Sequence, residues 1–430
     1  MFLTPGGQRG HKIRPYGRPD RHPSQSGIEG ISGMATNKTP GNWRRRTQAV
    51  RGGQVRTAFQ ETCEPLLMTA GYAYEEAEQA EARFKGESPG FQYSRLANPT
   101  VSMFEQRMAL LEGAPLARAT ATGMAAVSAV FLGSLKTGDH VVSANALFGS
   151  CRYVIETVLP RFGITCTFVD GSDLAAWQAA MRPETKLLFV ETPSNPTLAI
   201  VDIAAVAKIA QAGGARLVVD NAFATPALQR PMELGAHIVV HSSTKFIDGQ
   251  GRALGGAILC HQDFLDENLQ QFLRNTGPSL SPFNAWLHLK SLETLELRMR
   301  AHCDSATKVA DFLAGHAKVR RVLYPFRDDH PQAALARAQM SAGGGVVTFE
   351  IGGAKPEAFR FANALRIVDI SNNLGDTKSL ITHPETTTHQ KMTPQARAAA
   401  GVTSGMLRLS VGLEDADDLC EDLDQALKAI

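Results

Sequence analysis

A chain of 430 residues exceeds one ordinary hydrophobic core, so two packed regions are expected. Its 44 basic and 42 acidic side chains leave a formal charge of +2, which gives no overall pull towards nucleic acid or a membrane surface, and neither is expected as a partner. Apolar runs such as Val127 to Leu135 stop well short of a membrane span.

The six cysteines are scattered without metal-ligand spacing. They suggest free thiols in a reducing compartment, hence a cytoplasmic protein, and no metal site is expected. Residues 1–48 are rich in Gly, Pro, Arg and Ser and lack apolar periodicity, so a disordered extension is expected there. No apolar core follows the early basic residues and prolines interrupt any amphipathic helix, which argues against a targeting segment; Met34 is a candidate start. Arg44-Arg45-Arg46 reads as a solvated charge run.

Residues 49–97 read as an arm with one helical stretch, Glu75 to Phe84, that would lie against a partner. From 98 to 292 helical and strand patterns alternate, which predicts a mainly parallel sheet covered by helices on both faces. Thr120-Ala121-Thr122-Gly123-Met124 leads into an alanine-rich helix ending near Leu135. A helix N-terminus with a glycine is a ready anion site, because unpaired amides and the helix dipole favour negative charge; a capped core helix is the plainer alternative. Strands follow at Val141-Val142 and Thr165 to Val169, with a helix near Cys151 to Leu159 between them.

Leu187 to Glu191 is a strand that runs into Thr192-Pro193-Ser194-Asn195-Pro196, where two prolines would hold Asn195 rigidly towards a ligand. Leu217 to Asp220 is a buried strand ending in a carboxylate, and ligands of open α/β sheets bind outside the carboxyl ends of their strands. Past a third such strand, Ile238 to Val240, comes Ser242-Ser243-Thr244-Lys245, followed by a glycine-rich run. A lysine that forms an imine must be partly desolvated, since burial lowers its pKa and frees the amine. Asp220 could pair with a protonated pyridine nitrogen, and Ser242 and Thr244 add hydroxyl donors. Residues 293–430 open with a long helix through Leu313, then show a strand at Val346 to Glu350 and helices at Pro356 to Leu365 and Asp415 to Ala429, a smaller α/β domain.

Taken in order, Tyr93-Ser94-Arg95, Gly123-Met124, Glu191-Thr192-Pro193-Ser194-Asn195-Pro196, Asp220 and Lys245 resemble the pyridoxal-phosphate enzymes of cysteine and methionine metabolism. Asn373-Leu374-Gly375-Asp376-Thr377-Lys378 and Met406-Leu407-Arg408-Leu409-Ser410 are similar to that family's two carboxylate-site segments. The resemblance spans roughly Ala49 to the C-terminus. It implies a fold-type I α/β transferase with a seven-stranded large-domain sheet, pyridoxal 5′-phosphate as cofactor, and a homotetramer built from dimers that share active sites. It also implies roles. Lys245 would hold the cofactor and move protons, Asp220 would face the ring nitrogen, Asn195 and Phe148 would contact the ring, and Gly123, Met124, Ser242 and Thr244 would surround the phosphate. Tyr93 and Arg95 would reach a partner's site, Tyr93 also near the reacting carbons, while Arg408 and Asn373 would receive the substrate carboxylate.

Phe148 where many relatives carry tyrosine, with Asn373 and Lys378 where serine and glutamate are common, resembles the sulfhydrylase branch of the family. That branch implies γ-replacement on an activated homoserine by hydrogen sulfide, with succinate as the expected leaving group. Cysteine as nucleophile, an acetyl leaving group and γ-elimination are the alternatives, and Cys151 keeps the last of these open. The fingerprints G-x-G-x-x-G and G-x-x-x-x-G-K-[ST] are both absent, which argues against a nucleotide site.

Overall fold

Short apolar runs bounded by turn residues become the strands of the larger sheet: β1 (Leu116–Thr120), β2 (His140–Ala144), β3 (Thr165–Val169), β4 (Thr185–Glu191), β5 (Arg216–Asp220), β6 (Ile238–His241) and β7 (Gly256–Cys260). In the computed structural model, which describes residues 43–430, these strands lie in the order β1-β7-β6-β5-β4-β2-β3. Strands β3, β2, β4, β5 and β6 are mutually parallel, and β7 runs antiparallel to both its neighbours. The sheet is therefore the mainly parallel, seven-stranded one expected. Strands β2, β6 and β7 are buried at every position, as a sheet covered on both faces requires.

Helix starts follow their capping chemistry. Asn98 accepts the N–H of Thr100 and Pro99 occupies the first helical position of Pro99–Glu112; Thr122 accepts the N–H of Ala125 at the head of Gly123–Ser134; Asp202 does the same for Ile203–Ala212. The helix expected near Cys151 to Leu159 is Gly149–Tyr153, continued by a π turn, Val154–Val158, and a 3₁₀ turn, Leu159–Phe162. Pro160 lacks the amide that a regular last turn would need.

A second sheet has the order β10-β11-β12-β9-β8, from β8 (Val319–Leu323), β9 (Val346–Ile351), β10 (Asp369–Ile370), β11 (Leu380–Thr382) and β12 (Met406–Ser410). Only β10 and β11 are parallel. The helices Lys355–Ala364 and Ala416–Lys428 lie where expected. Helix Leu295–Gly315 joins two cores, giving Leu295, Met299 and Cys303 to the larger one and Ala306, Val309, Ala310 and Leu313 to the smaller.

Near the N-terminus the expected boundary is corrected. Residues 1–42, with the candidate start at Met34, lie outside the described residues, but helix Arg45–Arg51 begins inside the segment expected to be disordered and buries Ala49. The arginine run is exposed, in keeping with a solvated charge run, although Arg46 pairs with Glu296 at 2.9 Å and Arg45 approaches Glu233 at 4.0 Å. In the arm, the predicted helix is Ala77–Lys85 and buries no residue.

Candidate active site

At the carboxyl ends of β4, β5 and β6 the loops open on a cavity of about 400 Å³, closed on the other side by the segment before β11 and by β12. Parallel strands bring their C-terminal ends to one edge of a sheet, so residues distant in sequence meet there. Lys245, Asp220, Asn195, Gly123, Met124, Phe148, Ser242, Thr244, Asn373 and Arg408, the expected residues, all line this cavity.

Burial, followed by the nearby Arg408 cation, lowers the Lys245 amine from 10.5 to about 8. Its Nζ donates to Oδ1 of Asn373 at 2.6 Å. Asp220 ends β5, and its Oδ1 accepts the N–H of Ala222 at 3.0 Å; burial raises its carboxyl to about 6. A cationic ring nitrogen placed opposite would reverse that shift, because an opposite charge favours the ionised form.

Gly123 heads its helix in direct contact with the lysine segment: a Cβ there would come within 2.6 Å of the Ser242 Cβ. Only glycine lets the capped N-terminus of Gly123–Ser134 lie this close to Ser242, and the approach leaves a concave rim of amides suited to a phosphate. The Ser242 hydroxyl makes no hydrogen bond within the described chain, whereas the Thr244 hydroxyl is engaged with the backbone N–H and C=O of Gly255. Gly375, at φ +79°, plays the same steric part across the cavity. A side chain there would strike the backbone of Lys245 and Phe246.

Arg408, in β12, is 1 % exposed, yet among the described residues no carboxylate is hydrogen-bonded to it, Glu191 acting on it only through space. Nη1 donates to Asn195 Oδ1 at 3.0 Å, Nη2 donates to the carbonyls of Asn372 and Asn373, and Nε has no partner. Burial lowers it to about 10. A buried guanidinium with a free donor on a cavity wall fits an incoming carboxylate.

Tyr93 and Arg95 do not join the cavity. Tyr93 is 45 % exposed, the Arg95 guanidinium lies 5.5 Å over its ring, and Arg95 donates to the carbonyl of Arg274. Sequence reasoning also passed over residues that the fold brings in. Glu191 caps the N–H groups of Phe148 and Asn195; Thr388 lines the cavity and its hydroxyl bonds Nδ1 of His389, which is 1 % exposed and held near 4 by burial. Glu191 stood within the quoted Glu-Thr-Pro-Ser-Asn-Pro segment, while nothing local marked Thr388 or His389.

An amine held down by burial, an anion rim, a strand-end carboxyl and an unpaired guanidinium together fit pyridoxal 5′-phosphate and an amino-acid substrate. The family described as "Cys/Met metabolism PLP-dependent enzyme" matches residues 46–428. An O-succinylhomoserine sulfhydrylase of Mycobacterium tuberculosis is 52% identical over 385 residues, covering 89% of this chain and 95% of its own. One from Pseudomonas aeruginosa is 50% identical over 384 residues, with the same coverage, 89% and 95%. Among solved structures, an O-acetylhomoserine (thiol)-lyase of Campylobacter jejuni, which carries N′-pyridoxyl-lysine-5′-monophosphate, superposes with a TM-score of 0.86 at 33% identity over 90% of this chain and 100% of its own. A cystathionine γ-lyase of Lactobacillus plantarum complexed with L-serine gives 0.85 at 35% identity over 90% and 99%. Fold, cavity and sequence agree that this chain uses pyridoxal phosphate and belongs to the Cys/Met metabolism PLP-dependent enzymes.

Proposed function

We propose that this protein catalyses γ-replacement, converting O-succinylhomoserine and hydrogen sulfide to homocysteine and succinate. The observation that carries the reading is Arg408, buried in the same cavity as Lys245 with no carboxylate among the described residues hydrogen-bonded to it. The name shared by the Mycobacterium and Pseudomonas relatives supports the choice of substrates.

Pyridoxal phosphate bound here supplies an aldehyde for the substrate amine and a cationic ring that draws electrons from its α and β carbons. Gly123, Met124 and Ser242 would hold the phosphate against the helix N-terminus, with Thr244 shaping the wall. Asp220 would keep a proton on the ring nitrogen, Phe148 would pack against the ring and Asn195 would face its oxygen. Arg408 would clamp the α-carboxylate as a fork, with Asn373 beside it, and the substrate amine would free the Lys245 amine by taking its place on the cofactor. Lys245 then takes the proton at Cα and passes protons at Cβ. The Cγ–O bond breaks to release succinate, hydrosulfide forms the Cγ–S bond, and Lys245 returns the protons.

Tyr93 and Arg95 complete the site of a second copy, which makes the dimer the smallest active unit and a pair of dimers the expected assembly. The arm of residues 49–97, the large domain of 98–292 and the small domain of 293–430 are the units of this reading. Six unpaired cysteines accord with a cytoplasmic setting. The described residues contain no helix long and apolar enough to cross a membrane.

The test is to supply the purified protein with O-succinylhomoserine and equal sulfide and cysteine, and to repeat with the acetyl ester. Homocysteine with a preference for the succinyl ester is expected. Cystathionine as the main product, or 2-oxobutanoate without a nucleophile, overturns the proposal in favour of a synthase or a lyase.

A further inference from the structure

Glu191 ends β4 and is 4 % exposed. Its carboxyl reaches two loops at once: Oε2 accepts the N–H of Phe148 in the segment after β2, and Oε1 accepts the N–H of Asn195, at 2.8 Å, in the loop after β4. Those two residues present an aromatic ring and an amide to the cavity that Glu191 itself lines. Asn195 passes the connection on, because its Oδ1 accepts from Arg408 at 3.0 Å. Across the sheet Glu191 is the register partner of Asp220. One side chain thus bonds the residues that would support the ring face and the ring oxygen, reaches through Asn195 the arginine that would take the substrate carboxylate, and stands beside Asp220.

We propose that Glu191 is a positioning residue. By bonding the backbones of Phe148 and Asn195 it fixes the separation of the two loops, and so the orientation of the ring slot and, through Asn195, of Arg408. Its part would be played through those two bonds and not on the reacting atoms. The inference rests on the assignment of this cavity to pyridoxal phosphate, and it adds a role for a residue that no ligand contact requires.

Two features separate this from simple core filling. Buried backbone donors need acceptors, and a packing residue of equal volume would leave both N–H groups unsatisfied. Burial and the neighbouring Asp220 also push the Glu191 carboxyl well above the usual carboxylate range. Glu191→Gln conserves volume and removes one acceptor, so its effect reports on the bond to the loop.

The experiment compares wild type, Glu191→Gln, Phe148→Ala and the double variant. The readouts are the cofactor dissociation constant by equilibrium dialysis, visible circular dichroism of the bound cofactor, and KM against kcat. Wild type is measured first, and failure to bind pyridoxal phosphate there defeats the cofactor assignment, separately from this proposal. With wild-type binding established, Glu191→Gln is expected to weaken cofactor binding about ten- to a hundredfold, within the range for a lost buried hydrogen bond, and to alter the dichroic band. Phe148→Ala is expected to cost less in the Glu191→Gln background than alone, since the ring would already be loosely held. Wild-type affinity and dichroism in Glu191→Gln, or strictly additive losses, overturn the proposal. If Glu191→Gln does not fold, Glu191→Asp, whose carboxyl stops one methylene short, takes its place, and wild-type cofactor affinity in that variant overturns it equally.

Discussion

The ε-amine of Lys245 and the side-chain oxygen of Asn373, 128 residues apart in the chain, meet at 2.6 Å. The contact ties the loop after β6 to the segment that precedes β11, and it does so with a neutral acceptor. A carboxylate in that place would hold the amine protonated, whereas an amide leaves burial and the Arg408 cation to decide, and both lower it to about 8.

In cofactor-free protein, competitive acylation mapped by peptide analysis should therefore show Lys245 reacting with a midpoint near pH 8. Asn373→Asp should raise the midpoint by one unit or more, as expected for an adjacent opposite charge. A midpoint in the ordinary lysine range, above 10, would contradict the burial argument.

Asp220 titrates in the other direction. Its folded pKa, about 6, lies above the unbound carboxyl value of 3.8, so below pH 3.8 both states are protonated and the group is neutral to stability. As pH rises from 3.8 through 6 the unfolded chain ionises first, and stability falls by something on the order of 2–3 kcal/mol. Thermal unfolding of cofactor-free protein should then show Asp220→Asn more stable than wild type at pH 8 and nearly equal to it at pH 3.5. The same variant should bind cofactor more weakly, since the ring nitrogen loses its partner. Equal melting temperatures at pH 8 would rule out the buried-carboxylate account.

Arg408→Lys keeps the charge and loses the fork. A loss of about ten- to a hundredfold in kcat/KM for the acylated amino acid is expected, mostly through KM, with cofactor affinity little changed. Steady-state kinetics at saturating sulfide measure it. An unchanged KM would place the carboxylate elsewhere.

Tyr93 and Arg95 stand apart from the cavity of their own chain, which makes the second copy testable by complementation. Arg95→Ala and Lys245→Ala should each be nearly inactive. Unfolded together and refolded as mixed dimers, they should regain activity at about a quarter of the sites, because half the dimers are mixed and each of those has one intact site. No recovery in a mixture shown to contain mixed dimers would mean that Arg95 serves its own chain.

Much of the architecture was readable along the chain because the signals are local. Apolar runs ending in Glu191, Asp220 and His241 mark strands whose carboxyl ends carry chemistry, and Thr122-Gly123 marks a capped helix. Strands β1 and β7 escaped that reading. The first carries an arginine at its centre, and the second, though apolar, follows a glycine-rich run that reads as loop; their place comes from pairing with each other, Leu116 against Cys260 through Thr120 against Gly256.

The amino-acid order alone determined which groups are available: one lysine past a strand end, one carboxyl at another, an arginine among apolar neighbours. Tertiary structure decided what they became. Strand order set β4 beside β5 so that Glu191 and Asp220 face each other, and the docking of the smaller sheet brought Arg408 and Asn373 to the same cavity. Burial then moved the pKa values. Desolvation depends on everything packed around a group, and that is a property of the assembled fold, which no local stretch of residues carries.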